Sequence, residues 1–269
     1  NVEKLPGFGE GAWWVQDIAA SLPARLLGPG EGRHVLDLCA APGGKTLQLA
    51  AQGWQVTALD ISKRRLDLLK ANLKRTGLKA GAVRADALKW EPKHTFDAIL
   101  LDAPCTATGT ARRHPDVLHR IGPQTIEQMA QLQAALLRRA QGWLKPGGTL
   151  VYATCSLERA EGEDQAGAVS LTPDPITRDG LPQGVEPGSA AWLRTDPGML
   201  GEHGGLDGFA AGDRHRARDA ELAGLRQTVG VGFQSDQCDR CTLPHSRKGT
   251  GQALCTWADD RDMIPAASV

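Results

Sequence analysis

The feature that most constrains this chain is a unit repeated through its first 160 or so residues: a short apolar run, a turn carrying polar residues, then a stretch with helical spacing. Residues 34–38, His-Val-Leu-Asp-Leu, predict a short buried strand, followed by a Gly-rich turn and a helix from Gly44 to Gln52. Gln55–Leu59 predicts a second strand ending at Asp60. Ser62 is placed to cap a helix with Leu66, Leu69 and Leu73 on one face, and Gly77 to end it. Strands follow near Ala82–Arg84, leading to Asp86, and over Phe96–Leu101, ending in Asp102. Residues 124–141 predict an amphipathic helix with Ile126, Met129, Ala130, Leu137 and Ala140 on one face. Lys145–Gly148 reads as a turn, and Thr149–Ala153 as a fifth strand running into Thr154-Cys155-Ser156. Strands alternating with helices build βαβ units, so the expected fold class is α/β, a Rossmann-like, mostly parallel, doubly wound sheet.

The polar residues of note all fall just past strand C-terminal ends: Cys39, Asp60, Asp86, Asp102, Cys105 and Cys155. That edge is where open doubly wound sheets bind ligands, whereas chance would scatter polar residues over both edges.

Residues 36–46, Leu-Asp-Leu-Cys-Ala-Ala-Pro-Gly-Gly-Lys-Thr, let a ligand approach the backbone at a helix N-terminus. Three ligand classes use such turns. A phosphate-binding P-loop matches Gly44-Lys45-Thr46, but the position of its first glycine holds Cys39. The Gly-x-Gly-x-x-Gly dinucleotide fingerprint is absent. The third class is the S-adenosylmethionine turn, whose ligand end carries an ammonium and a carboxylate and needs no phosphate cradle. Asp60 is placed to accept ribose hydroxyls, and Asp86 to accept from an adenine amino group. The bland alternative is a tight structural turn.

Cys105 lies in Asp-Ala-Pro-Cys-Thr-Ala-Thr-Gly-Thr (102–110) and Cys155 in Ala-Thr-Cys-Ser-Leu (153–157). A lone cysteine after a strand is usually a packed small hydrophobe. Two of them, on the fourth and fifth strands beside a cofactor turn, fit a specific chemistry. Carbon-5 of cytosine is a poor nucleophile until a thiolate adds at carbon-6 and makes it enamine-like. Such a reaction needs a cysteine, an acid near the ring nitrogen, which Asp102 can supply, and a base for the carbon-5 proton. Nearby positive charge favours the thiolate. The residues alone do not rank Cys105 against Cys155.

Cys39–Thr46, Asp102–Gly109, Arg112-Arg113-His114-Pro115-Asp116 and Thr154-Cys155-Ser156 together resemble the Sun family of RNA cytosine-5 methyltransferases. Within it they are similar to the bacterial RsmB type, which modifies small-subunit ribosomal RNA. The resemblance spans roughly residues 5–165, and Glu202–Phe209 also fits. It implies a Rossmann-like S-adenosylmethionine-dependent methyltransferase and an RNA partner. It also implies Cys155 as nucleophile, Cys105 in product release, and cofactor contacts from Cys39, Ala40, Ala41, Pro42, Gly43, Gly44, Lys45, Asp60, Asp86 and Asp102. Gly7–Gln16, with Trp13 and Trp14, looks like the family's approach segment, though core packing is the better reading of the tryptophans. Arg112, Arg113 and His114 are read as holding the RNA backbone near the target base.

The chain departs from the RsmB type in two ways. That type's N-terminal RNA-binding helical region is not in this sequence, and after Phe209-Ala210 the pattern stops matching, as a frame change in the coding sequence would produce. The expected organisation is an approach segment over 1–30, a catalytic unit over 31–211, with final strands at Ala191–Arg194 and Leu206–Ala211, and an irregular tail over 212–269. Cys238-x-x-Cys241 with His245 and Cys255 is a weak zinc signal without a second pair, so no metal is expected. Net charge is zero, but residues 61–120 hold 13 Lys plus Arg against 6 Asp plus Glu, a local excess that can attract phosphates. No run of about 18 apolar residues occurs, and cysteine placement suits a reducing compartment; a cytoplasmic monomer is expected. The alternative function is a non-catalytic RNA-binding or ribosome-assembly factor that keeps the fold.

Overall fold

The computed structural model describes residues 2–178, 181–188, 192–201, 206–208, 210–216, 253–257 and 263–265, the last three segments as backbone. The elements in chain order are β1 (Trp13–Asp17), α1 (Ile18–Leu26), β2 (His34–Leu38), α2 (Gly44–Ala51), β3 (Gln55–Asp60), α3 (Lys63–Thr76), β4 (Ala80–Arg84) and β5 (Phe96–Asp102). They continue with α4 (Val117–Arg120), α5 (Pro123–Gly142), β6 (Leu144–Thr154), β7 (Thr172–Pro173), β8 (Ala210–Arg216), β9 (Ala253–Trp257) and β10 (Met263–Pro265).

The main sheet has the order β4-β3-β2-β5-β6-β8-β7. Its first five strands are all parallel, while β8 runs antiparallel to β6. The period-two pattern of the strands divides the core between two faces. Leu36, Leu38, Ile99, Leu101, Leu150 and Tyr152 pack toward Leu136, Leu137 and Ala140 of α5. Val35, Val56, Ala98, Leu100 and Val151 pack with Ala24, Leu27, Leu49 and Trp54 on the side of α1 and α2. α3 buries the predicted Leu66, Leu69 and Leu73, is capped by the Ser62 hydroxyl and ends at Gly77 in the left-handed region. Along α5 the expected face is the one turned inward, but its burial deepens along the helix: Leu137 and Ala140 are buried with Gln133 and Leu136, whereas Ile126, Met129 and Ala130 are half-buried. Only the C-terminal half of that helix lies squarely over the sheet.

β2 sits between β3 and β5, so the chain leaves it in one direction along the sheet and later returns on its other side. This reversal of strand order opens a crevice at the C-terminal ends of β2 and β5. The Gly-rich turn follows β2 at that point.

Residues 145–148 form no free turn. β6 runs through them with a shift of register, Leu144 pairing with Phe96 and Thr149 with Ala98, and Lys145 Nζ reaches the Asp97 carboxylate at 2.8 Å. The expected strand at 191–194 is replaced by isolated bridges at Trp192 and Thr195, and the strand expected at 206–211 starts later, as β8. The reason is local: Leu206 and Asp207 are buried, and Gly208 N–H donates to Gly109 O at 2.7 Å, so this segment is held by the loop after β5 rather than by a ladder. β8 runs through the boundary expected at 211. Two further strands lie inside the stretch read as irregular, with β9 pairing parallel to β1 and antiparallel to β10.

Trp13 and Trp14 are buried, Trp14 among Leu47, Leu66, Leu69 and Leu73. The segment before them lies against the end of α3, where Arg75 donates to Phe8 O and Trp13 O at 2.7 and 3.0 Å. Gly11 has φ +73°, and a Cβ there would stand 2.0 Å from Arg75 O, so the approach tolerates no side chain.

Candidate active site

The turn after β2 begins at Cys39, a non-glycine residue with φ +60°, and ends at Gly43, whose φ of +114° starts α2. A side chain at Gly43 would be strained by that φ and would meet Leu69 Cγ at 2.8 Å. Lys45, in the first turn of α2, is nearly buried and donates from Nζ to Asp102 Oδ2 at 2.9 Å, joining the turn to the end of β5. Burial raises the Asp102 carboxyl from its ordinary range, and Lys45 works against that rise. Behind the turn, Thr46 Oγ1 donates to the fully buried Asp37 at 2.5 Å; burial pushes that carboxyl up to about 7 despite the hydrogen bond.

Asp60 ends β3 and is buried. Its Oδ2 accepts from Ala41 N–H at 3.1 Å and its Oδ1 from Ser62 N–H at 2.8 Å. A carboxylate oxygen that accepts one such bond retains acceptor capacity for a ligand hydroxyl. Asp86, two residues past β4, is a third exposed and accepts from Leu88 N–H. The structure therefore brings Cys39–Lys45, Asp60, Asp86 and Asp102 to one edge of the sheet. Their donor set fits a nucleoside with a charged amino-acid end: acidic acceptors for hydroxyl and amino groups, a glycine turn, and a Lys–Asp pair.

Cys105 lies three residues beyond β5 and Cys155 directly after β6. Both are free and half-buried, with Sγ atoms 3.1 Å apart. Cys155 N–H also donates to Cys105 Sγ at 3.2 Å. The hydrogen bond to Cys155, followed by burial, raises the Cys105 thiol well above its ordinary range. The two loops are knitted together further along. Gly109 N–H donates to Cys155 O at 2.9 Å, and Leu157 N–H to Thr108 Oγ1 at 2.9 Å.

The remaining predicted residues fall out differently. Arg112 and Arg113 turn inward onto Asp207, which is fully buried; their side chains are only 20% and 15% exposed. Arg113 Nε donates to Asp207 Oδ2 at 2.6 Å. Their charge is engaged by a carboxylate 94 residues from Arg113 in sequence, a pairing that nothing local reveals. His114 is exposed. Asp17, which caps α1, adjoins this cluster. Burial, then the Asp207 charge, raises it to about 7, against the pull of Arg113.

Glu161 was missed in the sequence. It is fully buried, and its carboxylate accepts from Thr106 N–H at 2.9 Å, the Thr106 hydroxyl, the Ser156 hydroxyl at 2.7 Å and Gln133 Nε2 at 2.9 Å. In the polar run after Cys155 it looks like any solvated glutamate. Among the described residues no group of three or more His, Cys, Asp or Glu is placed to hold a metal, and Cys238, Cys241 and His245 lie outside them. No helix among the described residues is long and apolar enough to cross a membrane.

A five-stranded parallel sheet covered on both faces, with a Gly-rich turn at its switch point and acids ending successive strands, defines the Rossmann-like class of S-adenosylmethionine-dependent methyltransferases. Within that class the chain belongs to the 16S rRNA methyltransferase RsmB/F family, whose model matches residues 24–174. It is 49% identical over 180 residues to ribosomal RNA small subunit methyltransferase B of Klebsiella pneumoniae, covering 64% of this chain and 42% of that protein. It is 46% identical over 216 residues to the protein of the same name from Salmonella typhi, covering 77% of this chain and 48% of that one. The chain thus spans less than half the length of these curated relatives. Among solved structures it is similar to NSun6 from Pyrococcus horikoshii with SFG, at a TM-score of 0.69 and 30% identity, covering 80% of this chain and 55% of that one.

Proposed function

We propose that this chain carries the catalytic unit, residues 31–211 with 1–30 as its approach segment, of an enzyme that methylates carbon-5 of a cytosine in small-subunit ribosomal RNA. The observation that carries the reading is the Cys105–Cys155 pair, two free thiols in contact on adjacent strand ends beside the Lys45–Asp102 bridge. S-adenosylmethionine, held by Cys39–Lys45, Asp60, Asp86 and Asp102, supplies an electrophilic methyl group.

The residues divide the remaining work. Cys155 attacks carbon-6 of the base as a thiolate, forming a carbon–sulfur bond and pushing electron density onto carbon-5. Asp102, whose proton affinity is raised by burial, stabilises the ring nitrogen on which charge collects. After methylation the carbon-5 proton leaves to a base, the carbon-5 to carbon-6 double bond re-forms, and Cys155 departs as thiolate. Cys105, kept as a thiol by its neighbour and its burial, stands within reach of that departing sulfur and assists release. Arg113 lies close enough to Cys155 for the two to interact electrostatically. The target base must leave its stack to reach two half-buried thiols, so an unpaired or opened RNA segment is the substrate. Arg112, Arg113 and His114 are the contacts to the RNA backbone, and Arg112 and Arg113 also hold the loop through Asp207.

The test is transfer of a labelled methyl group from S-adenosylmethionine to unmodified small-subunit rRNA, with the product nucleoside identified. Label in 5-methylcytidine supports the reading. Cofactor binding without transfer, even after the longer relatives' N-terminal portion is supplied, would instead identify a non-catalytic RNA-binding factor.

A further inference from the structure

Glu158, Glu161 and Glu163 stand close together after Cys155, yet only Glu161 is fully buried. Its four donors come from three places. Thr106 follows Cys105, Ser156 follows Cys155, and Gln133 comes from α5 and also donates to Pro104 O at 2.9 Å. The backbone of Glu161 is held as well, since Tyr152 OH donates to its carbonyl at 2.6 Å. Burying a carboxylate is costly unless donors satisfy it, so the fold has committed both cysteine loops to this one group.

Glu161 touches neither sulfur in a hydrogen bond among those described, and its burial keeps it from substrate. Its position nonetheless makes the two cysteine loops unequal: it takes both the N–H and the hydroxyl of the residue after Cys105, but only the hydroxyl of the residue after Cys155. The groups facing the pair are Glu161, Tyr152 from β6, and Arg113 from the turn after Cys105. The Glu161 charge raises the Cys105 thiol, after the Cys155 hydrogen bond, burial and the Cys155 charge, and Arg113 interacts with Cys155.

We propose that Glu161 is a positioning residue for the cysteine pair: it clamps the two loops so that the sulfurs stay in hydrogen-bonding contact, and it holds the shared proton on Cys105, leaving Cys155 to carry the thiolate. This rests on the reading of Cys155 as the attacking thiol.

The test needs neither RNA nor cofactor. The purified chain is treated with iodoacetamide across a pH series, and labelling of each cysteine is followed by peptide mass spectrometry. In the parent, Cys155 labels first and Cys105 only at higher pH. Glu161→Gln keeps the side chain's size and removes its charge. Cys105 labelling then moves to lower pH, and the Cys155-to-Cys105 rate ratio falls by at least about threefold. Ser156→Ala removes one arm of the clamp but keeps the charge and the other three donors, and moves Cys105 labelling by clearly less than Glu161→Gln does. Three outcomes overturn the proposal: Cys105 labelling ahead of Cys155 in the parent, an unchanged ratio in folded Glu161→Gln, or an equal shift in Ser156→Ala. Methyl transfer by Cys155→Ala and Cys105→Ala tests the nucleophile separately. Loss of transfer in Cys155→Ala with an unchanged ratio in Glu161→Gln sinks the clamp and leaves the nucleophile standing, and the reverse pattern does the opposite.

Discussion

Lys45 and Asp102 show how much one pair carries. The bond joins the start of α2, beside the Gly-rich turn, to the end of the strand that leads to Cys105, and the lysine is the main charge that offsets the burial of Asp102. Lys45→Met leaves that carboxyl in place without its partner. The expected outcome is a fall in S-adenosylmethionine affinity of about tenfold or more by titration calorimetry, since breaking a partly buried charge pair strands the remaining group. Unchanged affinity would show that the bridge is structural only. At this scale the sequence was readable at the strand ends, where Asp60 and Asp102 close β3 and β5 and Cys105 and Cys155 follow β5 and β6. It was unreadable where a carboxylate is buried by a distant partner. Glu161 sits in a polar run that looks solvated, and the pairing of Arg112 and Arg113 with Asp207 is hidden because Asp207 is far away in sequence.

The first helix gives a prediction at the scale of elements. Asp17 caps α1 by accepting from Ala19 N–H at 2.8 Å, and its carboxyl is raised from 3.8 to about 7, chiefly by burial. The folded chain therefore holds a proton that the unfolded chain releases above about pH 4, and this contribution to stability is lost as pH rises from about 4 to 7. Asparagine keeps the cap and does not titrate. Asp17→Asn is therefore expected to be more stable than the parent at pH 8, by roughly 2–4 kcal/mol, and to show no gain near pH 3. Denaturant melts at both pH values check this, and an equal offset at the two would contradict it. Helix positions and the five parallel strands were legible because their periods are local. The shifted register inside β6 was not, because Lys145-Pro146-Gly147-Gly148 carries turn residues, and its role in the ladder depends on Phe96 and Asp97 across the strand pair.

Across the whole molecule, alternation of strand and helix was enough to predict the parallel sheet and the edge that bears the site. Outside that alternation only β8 was anticipated, with its start placed too early, and β9 and β10 were not. β8 joins the sheet antiparallel, and β9 pairs with β1 from the other end of the chain; neither pairing leaves a mark in nearby residues. The 206–208 segment links these regions to the site through Asp207 and its two arginines. Asp207→Asn would leave two half-buried guanidiniums against a neutral amide and is expected to cost about 3 kcal/mol in a urea melt. A cost near zero would mean that the cluster does not hold the Cys105 loop. The central claim, that Cys155 attacks the base and Cys105 releases it, is tested most directly by covalent trapping. RNA bearing 5-fluorocytidine at its target cannot lose a carbon-5 proton, so an attacking cysteine stays attached after methylation. With S-adenosylmethionine present, the account predicts a denaturation-resistant protein–RNA adduct for the parent and for Cys105→Ala, and none for Cys155→Ala. An adduct that survives in Cys155→Ala and disappears in Cys105→Ala would contradict it.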